Sequence, residues 1–211
     1  MDLDQQRDLM LSQLQQRGIT SPRVLKAMRD VPREAFVLPD FREDAYADSA
    51  LPLTHKQTIS QPLIVALMAQ VLELKPEDCV LEVGTGSGYA ATVLGNLCGE
   101  VFTVERITDL AITAAETIRQ LDIRNVHVRF GDGIKGWPAE SPYDAISVAA
   151  GGDHVPSALL DQLAIGGRLV IPLGSKPDSL ALVRIRKVDK DRYERENFGR
   201  VHFVPLLPDT T

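Results

Sequence analysis

At 211 residues, 44% hydrophobic and 25% charged, the chain is long enough to bury a full core without disulfides or a structural metal, since a globule of this size hides roughly 70% of the surface its unfolded chain exposes. A formal net charge of −6 denies it the broad positive field that captures phosphate backbones, so nucleic acid is disfavoured as a partner. Cys79 and Cys98 stand apart in apolar surroundings and read as buried reduced thiols, and the four histidines lack zinc-ligand spacing, so no metal is expected. The first residues, Met-Asp-Leu-Asp, are unlike a secretion signal. The longest uncharged stretch, 84–99, is too short and too glycine-rich to span a bilayer. No membrane partner is expected, and a cytoplasmic protein is.

The first third reads as helical. Leu3, Met10 and Leu14 recur at helical spacing. Ser21-Pro22 is a cap followed by proline at the first helical position, with Val24, Leu25, Met28 and Val31 on one face beyond it. Residues 32–58, with three prolines, read as an extended connection. A helix from Pro62, apolar nearly all round through Leu72, should be buried. From Lys75 strands and helices alternate: strands at 79–83, 101–104, 126–130, 143–148 and 168–173, helices at 88–97, 108–121 and 156–163. Such alternation predicts a Rossmann-like, doubly wound, mostly parallel sheet with helices on both faces. Residues 180–188 and 201–206 read as a terminal antiparallel hairpin, with 187–200 as a charged, solvated tip between them. The expected organisation is a single domain over 1–211, with residues 1–74 a helical, substrate-side segment and 75–211 the α/β core.

The first strand runs into Glu82-Val83-Gly84-Thr85-Gly86-Ser87-Gly88. Glycines at that junction let the backbone turn tightly and approach a ligand at the carboxyl edge of a parallel strand. Glu105 closes the next strand about twenty residues on, where an acid can accept from both ribose hydroxyls or merely end a strand at the surface. Asp132, between Gly131 and Gly133, can accept from an adenine amino group or simply make a turn. A dinucleotide fingerprint requires Gly-x-Gly-x-x-Gly, and counted from Gly84 its last position is Tyr89. The spacing is instead Glu-x-Gly-x-Gly-x-Gly, which suits S-adenosylmethionine, a cofactor with no pyrophosphate to cradle; NAD stays as the lesser alternative. No Gly-Lys-Ser/Thr follows, so a P-loop is excluded.

Further segments carry a family resemblance: Val31-Pro32-Arg33-Glu34-Ala35-Phe36-Val37, Gln57-Thr58-Ile59-Ser60-Gln61-Pro62, Gly131-Asp132-Gly133, Gly136-Trp137-Pro138, Gly166-Gly167-Arg168-Leu169-Val170 and Val204-Pro205-Leu206. Together they span nearly the whole chain, which resembles the bacterial protein-L-isoaspartate O-methyltransferases. The glycine loop is shared by many methyltransferases; the Gln-Thr-Ile-Ser-Gln-Pro segment is far more specific. The resemblance implies methyl transfer from S-adenosylmethionine to the free carboxylate of isoaspartyl residues in damaged peptides and proteins. S-adenosylhomocysteine is the by-product, and the ester collapses to a succinimide that can reopen to aspartate. It further implies Ser60 as the active-site residue, Thr58, Ile59, Gln61, Glu82, Gly84, Thr85, Gly86, Ser87, Gly88, Glu105, Asp132 and Gly133 around the cofactor, and a tail at 204–206 closing over cofactor and peptide.

Elementary chemistry is compatible with that role. A carboxylate with a pKa near 4 is already anionic at neutral pH, so the reaction needs no general base, and no base–nucleophile pair stands out. Ser60 precedes Pro62 by two residues, close to a helix start whose free amides and partial positive charge can seat an anion. Taken without the resemblance, Ser60 or Gln61 reads first as a helix cap. Thr54-His55-Lys56 departs from the glycines many relatives carry there, and Lys56 either faces an anionic substrate or points to solvent. That stretch leaves open a related carboxyl methyltransferase with a dedicated peptide or small-acid acceptor. A cofactor-binding protein without turnover is the reading of a different class. A monomer is the expected state.

Overall fold

The computed structural model describes residues 1–175 and 179–208. Helix α1, Leu3–Gln16, is started by an Asp2 capping box with Gln5, and α2, Pro22–Asp30, by the Ser21 side chain accepting from the Val24 amide. The connection that follows is less extended than its prolines suggest. Short 3-10 turns at Arg33–Ala35, Pro39–Asp44 and Thr54–Lys56 break it up, and β1 (Leu51–Pro52) pairs antiparallel with β2 (Thr58–Ile59). Buried Phe36, Ala45 and Tyr46 pin these turns to the core. Helix α3, Pro62–Leu72, buries most of its surface, as its all-round apolar character requires.

The core sheet is built from β3 (Cys79–Val83), β4 (Glu100–Glu105), β5 (Val126–Phe130), β6 (Tyr143–Val148), β7 (Leu163–Leu173), β8 (Leu180–Asp189) and β9 (Arg192–Val201). Its order is β5-β4-β3-β6-β7-β8-β9, parallel through β7 and antiparallel beyond. Helices α4 (Tyr89–Gly95), α5 (Thr108–Gln120) and α6 (Ser157–Gln162) make the crossovers. Period-two alternation sends Val80, Ala145, Val170 and Leu182 to one face, against α3, α4 and the N-terminal helices. Leu81, Ile146, Leu169 and Val183 go to the other, against Leu159 of α6 and Trp137.

From β3 the chain winds outward through β4 and β5, then returns to β6 on the other side of β3. The two halves therefore part between β3 and β6, and their carboxyl ends border the crevice where open α/β sheets take ligands.

The C-terminal hairpin differs in register from its sequence reading. The segment expected to be a solvated tip is strand β9, joined to β8 by a turn at Lys190-Asp191, and residues 202–206 are not its second strand. Alternating apolar residues are a poor guide to an edge strand, because backbone ladder bonds hold it while both faces stay wet. Charges such as Arg195 and Glu196 suit an edge that must not recruit a second sheet. One cross-strand pair helps fasten it: Arg184 Nη2 donates to both carboxylate oxygens of Glu196, at 2.8 and 3.0 Å. After Val201 the chain leaves the edge and crosses back over the sheet. There the Gly151 amide donates to the Val204 carbonyl (2.8 Å) and the Leu206 amide to the Gly151 carbonyl (2.7 Å).

Candidate active site

A cavity of about 270 Å³ opens at the carboxyl ends of β3, β4 and β6. Three segments from distant parts of the chain wall it: 56–60 before α3, the glycine turn after β3, and 204–207 from the returning tail. Of the residues singled out in the sequence, Thr58, Ile59, Ser60, Gly84, Thr85, Gly86, Ser87, Glu105 and Gly133 line it.

The turn after β3 takes positive φ at Gly84, Gly86 and Gly88, at 94°, 54° and 88°. At Gly86 this bends the amide toward β4, where Glu105 Oε2 accepts it at 2.9 Å; Oε1 accepts the Ile107 amide at 3.0 Å. Glu105 thus holds the loop shut, and each oxygen keeps a second lone pair for a ligand. Gly88 has a packing role: a Cβ there would lie 3.1 Å from Ile118 Cδ1 and 3.2 Å from Ala114 Cβ, so any other residue would have to push α5 side chains aside. It is not on the cavity wall.

Glu82 also stands behind the wall. It is fully buried; Oε2 accepts from the Thr103 hydroxyl at 2.6 Å, and that hydroxyl lies 2.7 Å from the Thr85 hydroxyl. Oε1 has no protein partner among the described residues. Burial pushes the carboxyl up to about 8 against the Thr103 bond, so near neutrality it is largely protonated. Asp132 is adjacent to the cavity residue Gly133, but its own carboxylate caps a turn, accepting from the Ile134 amide at 2.9 Å.

Ser60 sits between β2 and α3. Ser60 lines the cavity; its carbonyl accepts from Arg33 Nη2 at 2.8 Å, and its hydroxyl has no protein partner among the described residues. It does not cap the helix. The N-cap is Gln61, whose side chain instead donates to Asp48, at 3.0 Å to the carbonyl and 2.8 Å to the carboxylate. The helix start also lacks the free amides expected of it. Pro62 has none, Leu63 donates to Asp48 Oδ1 (3.3 Å), and Ile64 and Val65 donate to the Gln61 carbonyl. Asp48, itself paired with Arg17, already occupies the position at which an external anion was expected. What this end of the helix leaves without a protein partner among the described residues is the Ser60 hydroxyl, on a residue that lines the cavity.

Lys56 lines the cavity, in a turn where His55 and Lys56 both adopt left-handed conformations. Arg106, Ile107, Ala149 and Ala150 line it too and were not singled out in the sequence. Their signal was position alone: each directly follows a parallel strand. A glycine cradle held by an acid, with aliphatic Ile107 and Val104 beside it, is a donor set that fits an adenosyl cofactor.

Against known proteins, residues 5–210 match the family described as protein-L-isoaspartate(D-aspartate) O-methyltransferase (PCMT). The chain belongs to this family. Protein-L-isoaspartate O-methyltransferase 1 of Geotalea uraniireducens is 52% identical over 207 residues, 98% of this chain and 94% of the relative. A solved protein-L-isoaspartate O-methyltransferase superimposes with a TM-score of 0.86 at 30% identity, covering 96% of this chain and 66% of that one. A β-aspartate methyltransferase (PCMT) from Plasmodium falciparum, in complex with S-adenosyl-L-homocysteine, does so with a TM-score of 0.82 at 28% identity, covering 94% and 96%. The PCMT reaction is methylation of isoaspartyl residues from S-adenosylmethionine, which opens their repair, and the mostly parallel sheet with antiparallel C-terminal strands is the PCMT fold. Among the described residues no helix is long and apolar enough to cross a membrane.

Proposed function

We propose that this PCMT seats the isoaspartyl carboxylate on the Ser60 hydroxyl and holds its cofactor against the glycine turn. The unpartnered Ser60 hydroxyl in the same cavity as that turn carries the reading. When bound, S-adenosylmethionine supplies an activated methyl group and leaves as S-adenosylhomocysteine. Gly84, Thr85, Gly86 and Ser87 offer backbone and hydroxyl groups to it, Glu105 accepts from its ribose, and Thr58, Ile59 and Gly133 complete its walls. Glu82 and Gln61 shape the site from behind, Gly88 serves the packing of α4 on α5, and Asp132 bounds the site beside Gly133.

The acceptor carboxylate is already ionised, so no proton moves. With S-adenosylmethionine bound against the glycine turn, one of the carboxylate's oxygens would take the methyl group. Ser60 donates to the other oxygen and aims the attack. Holding reactants in line is worth up to roughly 7–11 kcal/mol, against about 1.5–3 kcal/mol for a hydrogen bond to a charged group, so the serine serves chiefly to orient. Val204 to Leu207 cover the cavity from the tail side and keep water from the reacting atoms.

The chain acts as one unit, residues 1–74 on the substrate side and 75–211 as the core. A continuous buried cluster from Met10 to Val201 supports this. We further read it as a cytoplasmic monomer whose partners are isoaspartyl proteins, neither nucleic acid nor membrane. One observation favours a narrower acceptor range than generic repair: the Thr54–Lys56 turn places a lysine on the cavity wall.

The test is methyl transfer from labelled S-adenosylmethionine to two matched peptides, one isoaspartyl and one aspartyl. Base-labile labelling of the isoaspartyl peptide alone supports generic repair. Labelling of neither, with cofactor binding intact, points to a dedicated acceptor.

A further inference from the structure

Arg33 lies in the turn before β1 and is 0% exposed. Its guanidinium is fully engaged except at one nitrogen. Nε donates to the Ala45 carbonyl at 2.7 Å, Nη2 to the Ser60 carbonyl at 2.8 Å, and the group sits 4.7 Å from the centre of the Tyr89 ring. Nη1 is buried without a partner among the described residues. Ser60 and Tyr89 both line the cavity, so Arg33 stands directly behind its wall.

Its charge is what sets it apart. The other buried arginines meet acids: Arg168 pairs with Asp78 at 2.6 Å, and Arg184 with Glu73 and Glu196. Among the described residues Arg33 makes no salt bridge. Glu34, its chain neighbour, is spent on Arg7 and the Tyr46 hydroxyl. Asp48, the other nearby acid, is held by Arg17, Gln61 and the Leu63 amide. Burial lowers the Arg33 pKa, while Tyr89, Tyr46 and the more distant charge of Asp48 oppose the shift, and a guanidinium stays protonated. A buried cation that no acid pairs with directly is costly even with two carbonyls and a ring face against it, and part of that cost is recovered when an anion arrives within reach of its field.

We infer that Arg33 supplies the positive field that complements the acceptor carboxylate at Ser60, while its bond to the Ser60 carbonyl fixes the serine's aim. It is a positioning residue, since Ser60 stands between it and the substrate. This rests on Ser60 being the carboxylate seat. The site would then select for the acceptor's ionic form as well as its shape.

The test compares binding of an isoaspartyl peptide with its neutral isostere, the same peptide with a carboxamide in place of the free carboxylate. Both are measured on protein saturated with S-adenosylhomocysteine. Arg33→Gln should shrink the preference for the charged peptide on the order of tenfold, the scale of a charge pair roughly 12 Å apart at an effective dielectric near 20; Arg33→Lys should retain most of it. A purely structural role would weaken both peptides alike and leave their ratio unchanged, and that result overturns the inference. Should Arg33→Gln not fold, the wild-type protein still decides. The 13C-labelled isoaspartyl carboxyl, titrated in the complex, should show a pKa below that of the free peptide, and one equal or higher overturns the inference. Ser60→Ala separates the two levels. Unchanged kcat/KM in that variant removes the seat and the inference with it; a loss in Ser60→Ala beside an unchanged ratio in Arg33→Gln removes the inference alone.

Discussion

Glu105 Oε2 accepts the Gly86 amide at 2.9 Å, so the acid that ends β4 and the turn that follows β3 form one hydrogen-bonded unit. The same carboxylate holds the Ile107 amide, which gives a single side chain control of two cavity walls. Glu105→Ala should therefore weaken S-adenosylhomocysteine binding by about ten- to a hundredfold, the loss of one or two charge-assisted bonds. Glu105→Gln, which can still accept one amide, should fall between. Calorimetric titration of folded protein measures both; wild-type affinity in the alanine variant would refute the coupling.

Ser60→Ala should lower kcat/KM for an isoaspartyl peptide by about ten- to a hundredfold, the value of one hydrogen bond to a charged group. Affinity for S-adenosylhomocysteine should change little, because the Ser60 link to Arg33 runs through the main-chain carbonyl, which alanine retains. Steady-state kinetics beside cofactor titration separate the effects.

Glu82 makes stability depend on pH in an unusual direction for an acid. Its folded pKa is raised, from an ordinary 4.5 to about 8, so the folded state holds the proton more tightly than the unfolded state. The stabilisation is complete below the unfolded value, is lost as pH climbs through the window up to about 8, and is flat above it. Glu82→Gln should abolish this component. Urea midpoints of the variant should fall less than those of the wild type between about pH 5 and pH 8.5, by an amount worth a few kcal/mol. Parallel pH profiles for the two proteins would contradict the assignment.

Gly88→Ala should destabilise the fold by roughly 1–3 kcal/mol, because it forces a left-handed φ on alanine and drives a methyl against Ile118. Gly88 does not line the cavity, so S-adenosylhomocysteine affinity of the folded variant should stay near that of the wild type. Denaturant melts and titration at low temperature test the two halves of this statement independently.

Much of the fold could be read from the chain. Strands β3, β5 and β6 begin and end where their apolar runs do, and the N-terminal boundaries of α2 and α3 follow from Pro22 and Pro62. Strand β9 could not be read, because Arg192 to Arg200 is held by its backbone at a wet edge and shows no buried face to betray it. The site divides in the same way. The glycine turn and the Ser60 segment announce themselves through residue types that have few other uses at those places. Ala149 and Ile107 have ordinary side chains, and only the topology brings them to the cavity. Arg33 stood in plain view within Val31-Pro32-Arg33-Glu34, but its lack of an acid partner is a property of three dimensions. Asp48, which claims the start of α3, lies thirteen residues from Gln61 in a turn that no periodicity marks.

The crossing of residues 204–206 over Gly151 has a temporal side. Synthesis delivers the glycine turn early and the serine segment earlier still, yet one side of the chamber is contributed by residues that emerge only after β9. A nascent chain halted anywhere before Val204 has a donor cradle and an acceptor hydroxyl open to water on that side. Methyl transfer by a chain that stops short of Val204 should therefore be weak, because water reaches the reacting atoms from that side.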